Sequence, residues 1–362
     1  MKNILFSAYS LDVGGIETAL ITLLKEIQSE FEITLVLEKV EGIFLKEVPK
    51  SVKIIQYKPC DFKVSFIRKA INFIKQQKFK IKYKNKFDFS VCYATYSYSA
   101  SFVARQASKN NLIWVHNDYL SFYNNDVDKY KEFYNKLKID KFKKIVFVSQ
   151  KDENTFIKYF PDFNNKCDVC NNLIDYKKIQ NLSKEKIEDF EKSNIITFIN
   201  IGRHEEKQKK LSRIIEATEK LNKEGYKFNV IFIGDGENFA DYKKMAQNIQ
   251  NIKFLGAKKN PYPYLKLSDC MIMSSDYEGY PVVFIESLIL NKPIITTDVS
   301  DSKKDIEGKY GLIVEKSTTG IYDGMKRFLE EGFVPQEFNP ERYNQEILNK
   351  IRKFINWGEL LW

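Results

Sequence analysis

Residues Ser274 to Asp298 read SSDYEGYPVVFIESLILNKPIITTD, and this stretch decides the fold. The apolar run just before it, Met271 to Met273, ends in polar residues, as a buried parallel strand does at the edge of its sheet. A helix is predicted to begin near Pro281, because proline is favoured in a first helical turn. A second apolar strand, Pro293 to Thr297, follows the helix. This order of strand, loop, helix and strand predicts an α/β unit with a parallel sheet.

Two carboxylates stand out in this stretch. Glu286 lies inside the apolar helix, where a carboxylate is costly to bury unless a partner pairs with it, whereas Glu278 lies on the preceding loop. Their spacing would let the loop and the second helical turn present both carboxylates to one cleft. The alternative is that Glu278 is a solvated loop acid and that Glu286 only reaches the flank of the helix.

The pattern S-x-x-x-EGYP-x-V-x-x-ES, with seven residues between Glu278 and Glu286, resembles the signature of the retaining glycosyltransferases of family 4. That resemblance implies the GT-B fold, in which two Rossmann-like, doubly wound parallel-sheet domains face each other across a cleft. It also implies that Glu278 contacts the donor sugar or the reacting centre, and that Glu286 holds the ribose hydroxyls of a sugar nucleotide. The neighbouring residues Gly279, Tyr280 and Val282 are expected to line the same nucleotide-sugar site.

The length of 362 residues favours two domains of about 180 residues each. We expect an acceptor-binding domain over residues 1–175, a linker over 176–194 and a nucleotide-sugar-binding domain over 195–335. Residues 336–362 are expected to form a terminal helix that, by the same resemblance, crosses back to the first domain.

The first domain alternates predicted strands and helices, which is typical of a doubly wound sheet whose ligands bind at the carboxyl ends of the strands. Gly14 and Gly15 follow the first strand, where glycines let the backbone approach a phosphate; the alternative is a tight turn that needs glycine only for its backbone angles. His116 ends a later strand and matches a family histidine close to the transferred sugar. A lone histidine at a strand end can also be a hydrogen-bonded structural residue.

The second domain begins with a strand that ends in Gly202-Arg203, followed by a basic loop and a helix. Arg203 at a strand end and Lys209 before a helix are suited to a diphosphate. Lys209 lies eight residues before Ala217, the position of the phosphate-binding lysine in the family that the chain resembles. Lys210 stands where that family usually has glycine, and Lys207 is near, so which lysine contacts the phosphates stays open, as does a simple basic surface loop.

The net charge is +10, and residues 58–86 contain ten Lys or Arg against one acid, Asp61. Such a block predicts an anionic partner: a membrane surface, a nucleic acid or a phosphorylated substrate; a solvated face is the alternative. Apolar residues at helical spacing within the block favour a basic amphipathic helix on a lipid surface. The membrane is therefore the expected partner of the Lys58 to Lys86 block, and nucleic acid is not expected.

No cofactor or metal ion is expected. The pair Cys167 and Cys170 lacks a second pair or a histidine at metal-binding spacing, and Asp126-x-Asp128, the one imitation of a metal-binding D-x-D, lies in a charged helical segment. The five cysteines are scattered, as reduced thiols usually are, and no apolar run is long enough to span a bilayer. We expect a cytoplasmic protein, either free or peripheral on the inner face of the cell membrane.

Together with the resemblance, these observations predict a metal-independent glycosyltransferase, and the resemblance implies retention at the anomeric carbon. Arg203, Lys209 and the backbone amides near Gly15 and Gly279 would stabilise the charge on a departing diphosphate. The expected substrates are a nucleotide sugar, UDP-linked in preference to GDP-linked, and a saccharide acceptor, such as a lipid-linked precursor of a surface polysaccharide. The alternative is a non-catalytic GT-B-like protein that binds nucleic acid or a protein partner.

Overall fold

A computed structural model describes residues 1–12, 14–192 and 194–356 of the chain. The chain divides into two compact units. The first comprises Met1–Leu173 and the residues from Gln345 onward, and the second comprises Ile174–Asn344. Each unit contains one parallel sheet with helices, which confirms the predicted class of two α/β domains.

Among the described residues, the first unit has seven strands, and all their pairings are parallel in the order β3-β2-β1-β4-β5-β6-β7. Its elements before the division are β1 Lys2–Ala8, α1 Gly15–Ile27, β2 Phe31–Leu37, β3 Lys53–Gln56, α2 Ser65–Tyr83, β4 Phe89–Cys92, α3 Tyr98–Ala107, β5 Asn111–Val115, α4 Tyr119–Phe122, α5 Val127–Leu137, β6 Lys144–Phe147, α6 Gln150–Tyr159 and β7 Cys167–Val169. The strand order reverses between β1 and β4, because the chain adds β2 and β3 on one side of β1 and the later strands on the other. That point is the place where doubly wound sheets hold their ligands.

The second unit contains six strands in the order β10-β9-β8-β11-β12-β13, which repeats the same winding. The elements that follow β7 are α7 Tyr176–Leu182, β8 Thr197–Ile201, α8 Leu211–Lys223, β9 Asn229–Ile233, α9 Phe239–Met245, β10 Ile252–Phe254, α10 Tyr262–Leu267, β11 Cys270–Met273, α11 Val282–Ile289, β12 Ile294–Thr297, α12 Ser302–Asp305, β13 Gly311–Val314, α13 Thr318–Glu331 and α14 Pro340–Asn356. Here the strand order reverses between β8 and β11.

Side-chain alternation along the central strands builds the core of the second unit. On β9, Val230 and Phe232 join the apolar cluster on one face of the sheet, and Ile231 and Ile233 join the cluster on the other. All four are buried, because helices cover both faces of the sheet. The sheet is therefore a fixed base from which the loops at its carboxyl edge project.

Two segments differ in detail from the expectation. The stretch 176–194, expected as a linker, belongs to the second unit, because Ile179 and Phe190 are buried in its core; position 193 lies outside the described residues. Pro281 precedes the helix instead of lying in its first turn, since its ψ of 116° is extended. Of the expected terminal segment 336–362, residues 357–362 lie outside the described part. Within residues 1–12, 14–192 and 194–356, no helix is both long and apolar enough to cross a bilayer.

Candidate active site

The candidate site lies at the carboxyl ends of β8 and β11, neighbouring strands at the switch point of the second sheet. The loop after β8 carries residues 202–210, and the loop after β11 carries residues 274–281. The two loops are joined directly, because Ser274 Oγ donates to the carbonyl oxygens of Lys209 and Lys210, and the Asp276 amide donates to Gln208 O. Residues nearly seventy positions apart in sequence are thus held side by side.

Lys209 and Glu278 form an ion pair across these loops. The Nζ–Oε1 distance is 2.6 Å, and the exposed fractions of the two side chains are 18% and 10%. Ser275 Oγ also donates to Glu278 Oε1, at 2.8 Å. Because a partly buried charge needs a partner, each group fixes the position of the other. The pair places one cation and one anion at the edge of the site, where solvent still reaches them.

Gln208 extends this cluster, and sequence reasoning missed it. Its Nε2 donates to Glu278 Oε2 at 3.3 Å and to Tyr277 O at 3.1 Å. Its Oε1 accepts a hydrogen bond from Arg203 at 3.2 Å. The buried amide therefore links the predicted arginine to the predicted glutamate. No sequence signal distinguishes it from other polar loop residues, because its role arises from contact between distant loops.

Arg203 is the most exposed member of the predicted cluster. Its side chain is 71% exposed, and its NH1 lies 3.5 Å from Glu205 Oε2. Arg203 thus reaches the cluster only through Gln208, and its guanidinium is open to solvent. A group held this loosely can move to meet an anion, whereas Lys209 already lies in place.

The buried side chain of His204 holds the loop that carries Arg203 in place. This histidine is buried, stacks on Phe239 with ring centroids 5.4 Å apart, and has no hydrogen-bond partner for either ring nitrogen among the described residues. Burial lowers the pKa of His204, so the ring is neutral near pH 7. A Cβ at Gly236 would lie 2.5 Å from His204 O, so only glycine allows the next loop to pack here.

Lys210 stands where the family that the chain resembles usually has glycine, and the backbone at this position explains why. It is the N-cap residue of α8, and its φ of 51° places it in the left-handed region. Glycine adopts this conformation without the steric cost that other residues bear, which accounts for glycine at this position in the family that the chain resembles. The Lys210 side chain lies 3.7 Å from Glu206 and Lys207 is exposed, so Lys209 is the lysine that contacts Glu278.

Glu286 lies apart from this cluster, on α11, where Tyr262 OH donates to its Oε1 at 3.0 Å. The surroundings raise the pKa of Glu286 to about 7, because burial disfavours the carboxylate more than the tyrosine hydrogen bond favours it. The predicted pairing partner of this helical carboxylate is therefore a hydroxyl and not a cation. Glu286 can exchange a proton close to neutral pH.

The remaining predicted residues of this loop make structural contacts. Tyr280 OH donates to Asp305 Oδ2 at 3.0 Å, Gly279 O accepts a hydrogen bond from Ser300, and Val282 begins α11. Burial raises the pKa of Tyr280 well above its usual range. The loop before α11 is consequently tied to the segment after β12.

In the first unit, Gly14 and Gly15 lie at the start of α1, after β1. Gly14 has φ −178°, which is extended backbone that any residue adopts, so backbone angles alone do not explain this glycine. A Cβ there would meet only the end of the flexible Glu17 side chain, at 2.2 Å. The structure places this turn at the switch point of the first sheet, between β1 and β4.

His116 follows β5 in the first unit and is buried against two aromatic rings, Tyr93 at 4.5 Å and Trp114 at 5.9 Å between centroids. Neither ring nitrogen is hydrogen-bonded to any residue in the described ranges, so His116 is not a hydrogen-bonded structural histidine there. Desolvation lowers the pKa of His116 to about 3. The imidazole is therefore neutral at physiological pH.

The residues considered for metal binding have other tasks. Asp126 is the N-cap of α5 and accepts a hydrogen bond from the Lys129 amide, while Asp128 lies in the first helical turn. Cys167 and Cys170 are free thiols whose pKa values burial raises to about 12. Across the described ranges, no group of three or more His, Cys, Asp or Glu side chains is arranged to hold a metal ion.

Residues 180–346 match the family glycosyl transferases group 1. The chain contains a group 1 glycosyl transferase domain. This domain holds the Lys209–Glu278 pair, Gln208, Arg203 and Glu286. The glycosyltransferase class predicted from the sequence is confirmed at the level of the domain family.

Two relatives and one solved structure match a longer part of the chain than residues 180–346. An uncharacterised glycosyltransferase of Methanocaldococcus jannaschii is 30% identical over 233 residues, which is 56% of this chain and 55% of that protein, so the match spans about half of each. The Campylobacter jejuni N-acetylgalactosamine-N,N'-diacetylbacillosaminyl-diphospho-undecaprenol 4-alpha-N-acetylgalactosaminyltransferase is 23% identical over 97% of both chains. Anabaena HepE, solved with UDP and glucose, matches 97% of this chain and all of its own with a TM-score of 0.74 at 17% identity. The structural similarity to HepE confirms the GT-B fold class.

Proposed function

We propose that the chain is a retaining, metal-independent glycosyltransferase of family 4. It transfers a hexose or N-acetylhexosamine from a nucleotide sugar, a UDP-sugar in preference to a GDP-sugar, to a saccharide acceptor. The observation that carries the proposal is the Lys209–Glu278 pair at the switch point of the second sheet, with Arg203 connected to it through Gln208. A solved neighbour of the same fold, HepE, was crystallised with UDP and glucose, which supports the choice of donor.

The cations of this cluster meet the main electrostatic demand of the reaction. The bond between the anomeric carbon and the β-phosphate oxygen breaks, the acceptor oxygen bonds to that carbon, and the proton of the acceptor hydroxyl passes to the departing diphosphate or to water. Negative charge stays on the departing diphosphate. We assign its binding to Lys209 and Arg203, together with the positive N-terminal end of α8.

Glu278 sets the position of Lys209 before the donor arrives. Its carboxylate holds the ammonium at 2.6 Å, and its two oxygens also accept from Ser275 and Gln208. A carboxylate fixed by three donors keeps its orientation, so its contact with the donor sugar costs little reorganisation. Glu278 thus acts on both the phosphate-binding lysine and the sugar.

Glu286 is assigned to the ribose hydroxyls of the donor. The ionised carboxylate accepts two hydrogen bonds, whereas the protonated form must donate one of its own. Donor binding therefore favours the ionised form. Because the pKa of Glu286 is about 7 in the free chain, the donor must displace a proton from many molecules at lower pH.

Donor affinity is accordingly expected to rise with pH. Between about pH 6 and about pH 8, KM for the nucleotide sugar should fall about tenfold, as the fraction of ionised Glu286 increases. Glu286→Gln should raise KM and remove this dependence. Tyr262→Phe should move the transition to higher pH, because it deletes the hydrogen bond that lowers the pKa of Glu286. Initial rates of the unchanged chain and of both variants, measured at several pH values, test these expectations. If KM of Glu286→Gln depends on pH as that of the unchanged chain does, the assignment is wrong.

The acceptor is proposed to be a lipid-linked saccharide, a precursor of a surface polysaccharide made at the inner face of the cell membrane. The Campylobacter relative is named for transfer to a diphospho-undecaprenol-linked saccharide, and relatives from Escherichia coli are named for O-antigen biosynthesis. We assign acceptor binding to the first unit, with Gly14 and Gly15 at its switch point and His116 nearest the transferred sugar.

Ligand-induced stabilisation tests the proposed donor. A ligand that binds only the native state raises the melting temperature. At a ligand concentration of a hundred times the dissociation constant, the free energy of unfolding increases by about 2.7 kcal/mol. We expect UDP and at least one UDP-hexose or UDP-N-acetylhexosamine to raise the melting temperature of the full chain, and GDP to do so less. If no nucleoside diphosphate changes the melting temperature, the proposed function is wrong.

A further inference from the structure

Helix α2 of the first unit contacts the protein through polar residues of its middle turns and through Phe79, which packs in an aromatic cluster. Asn72 exchanges two hydrogen bonds with the backbone of Cys60, and Lys75 donates to Lys58 O. Phe79 is the one residue of this helix that is buried. A helix on the surface of a globular protein normally does the opposite and buries its apolar stripe.

The apolar side of α2 faces solvent along the whole helix. The exposed fractions are 80% for Phe66, 42% for Ile67, 61% for Phe73, 53% for Ile74 and 84% for Ile81. Phe73 follows Phe66, Ile74 follows Ile67 and Ile81 follows Ile74 after seven residues each, so these positions form one stripe, about 22 Å long at 1.5 Å per residue. Phe62 and Val64, each 51% exposed, continue the stripe before the helix. Such a contiguous exposed apolar surface marks an interaction site.

Positive charge borders this stripe on both sides. On a helical projection, Lys69 and Lys80 lie along one border and Lys78 and Lys82 along the other. The helix sequence contains no Asp or Glu. An apolar stripe bordered by lysines is the composition of helices that lie in the interface of an anionic bilayer.

We propose that α2 lies parallel to an anionic lipid surface, with the stripe defined by Phe66, Phe73, Ile74 and Ile81 inserted among the acyl chains. The ammonium groups of the lysines then remain at the level of the lipid headgroups, because their aliphatic stems can extend from the inserted helix toward water. A second copy of this chain would oppose lysines with lysines, and nucleic acid would leave the apolar stripe without a partner. The proposal concerns only the first unit and does not depend on the donor site.

The test is co-sedimentation of the full chain with vesicles of phosphatidylcholine alone and of phosphatidylcholine with phosphatidylglycerol. We expect binding to the anionic vesicles that the triple variant Phe66→Ser, Phe73→Ser, Ile74→Ser weakens at least about a hundredfold. The matched control is Ile195→Ser, Met245→Ser, Val334→Ser, three exposed apolar residues of the second unit, which should bind as the unchanged chain does. Equal melting temperatures for the two triple variants would establish that both are folded.

Charge variants separate the two parts of the interaction. Lys78→Glu with Lys82→Glu should weaken binding to anionic vesicles at low salt, and high salt should reduce that difference. The proposal is overturned if the full chain stays in solution with anionic vesicles, or if the apolar triple variant binds as tightly as the unchanged chain. It is also overturned if sedimentation velocity shows a dimer in solution that the apolar variant dissolves while vesicle binding persists.

Discussion

Lys209→Ala is expected to lower kcat/KM for sugar transfer by about a hundredfold to a thousandfold, the loss typical of removing one preorganised charge from a transition state. Lys209 contacts Glu278 at 2.6 Å and lies just before α8. Its loss removes the positive charge nearest the proposed diphosphate. Steady-state kinetics with the UDP-sugar identified by thermal shift would measure the effect.

Two neighbouring lysines provide matched controls for this prediction. Lys207→Ala should retain most of the activity, because that side chain is exposed. Lys210→Gly should also retain activity and should raise the free energy of unfolding by about 1 kcal/mol, since glycine accepts the φ of 51° without strain. If Lys207→Ala is as damaging as Lys209→Ala, the phosphate-binding lysine has been misassigned.

Glu278→Gln is expected to lower kcat by about a hundredfold or more, for two reasons. The neutral amide cannot balance the charge of Lys209, and it cannot accept hydrogen bonds with both of its terminal atoms as the carboxylate does from Ser275 and Gln208. The substitution keeps the size of the side chain, so the fold should persist. Melting temperature and kcat, measured on the same preparation, separate loss of activity from loss of structure.

A charge-matched control and a double variant test this assignment. Glu219→Gln removes an acid on the exposed side of α8, in an ion pair with Lys223, and should leave kcat unchanged. If Lys209 and Glu278 act as one unit, the double variant should lose less activity than the product of the two single losses. Fully multiplicative losses would mean that the two groups act independently on the donor.

The fold was largely predictable because strands of a covered parallel sheet are continuous apolar runs. The apolar run Met271 to Met273 and the predicted strand Pro293 to Thr297 agree with β11 and β12 to within one residue at each end. Strand ends are harder to predict: apolar residues continue to Ala94, whereas β4 ends at Cys92, because its pairing with β1 and β5 stops there.

The site was predictable only where a motif carried it. Lys209 was found by its spacing from Ala217 and Glu278 by its loop, yet their direct contact depends on two strands that only the sheet brings together. Gln208, Ser275 and His204 carry no local pattern, since each gains its role from a residue distant in sequence.

Helix α2 shows another limit of sequence reasoning. Its amphipathic spacing was visible, but spacing alone does not tell which side of a helix meets the protein. The answer depends on the polar contacts of Asn72 and Lys75 with residues 58–60, which have no periodicity of their own. To the amphipathic helix expected from the sequence, the structure adds that most of its large apolar side chains are exposed.

The first unit is assembled from two distant parts of the chain, and this affects the order in which a ribosome can complete it. Arg352 pairs with Glu30 at 2.8 Å, and Ile347 and Ile351 are buried. During translation, Glu30 emerges long before its partner, and all of Ile174–Asn344 emerges in between. The first unit, whose synthesis begins first, is therefore completed last. A premature stop near residue 344 would remove the last segment of the first unit and leave the second unit complete.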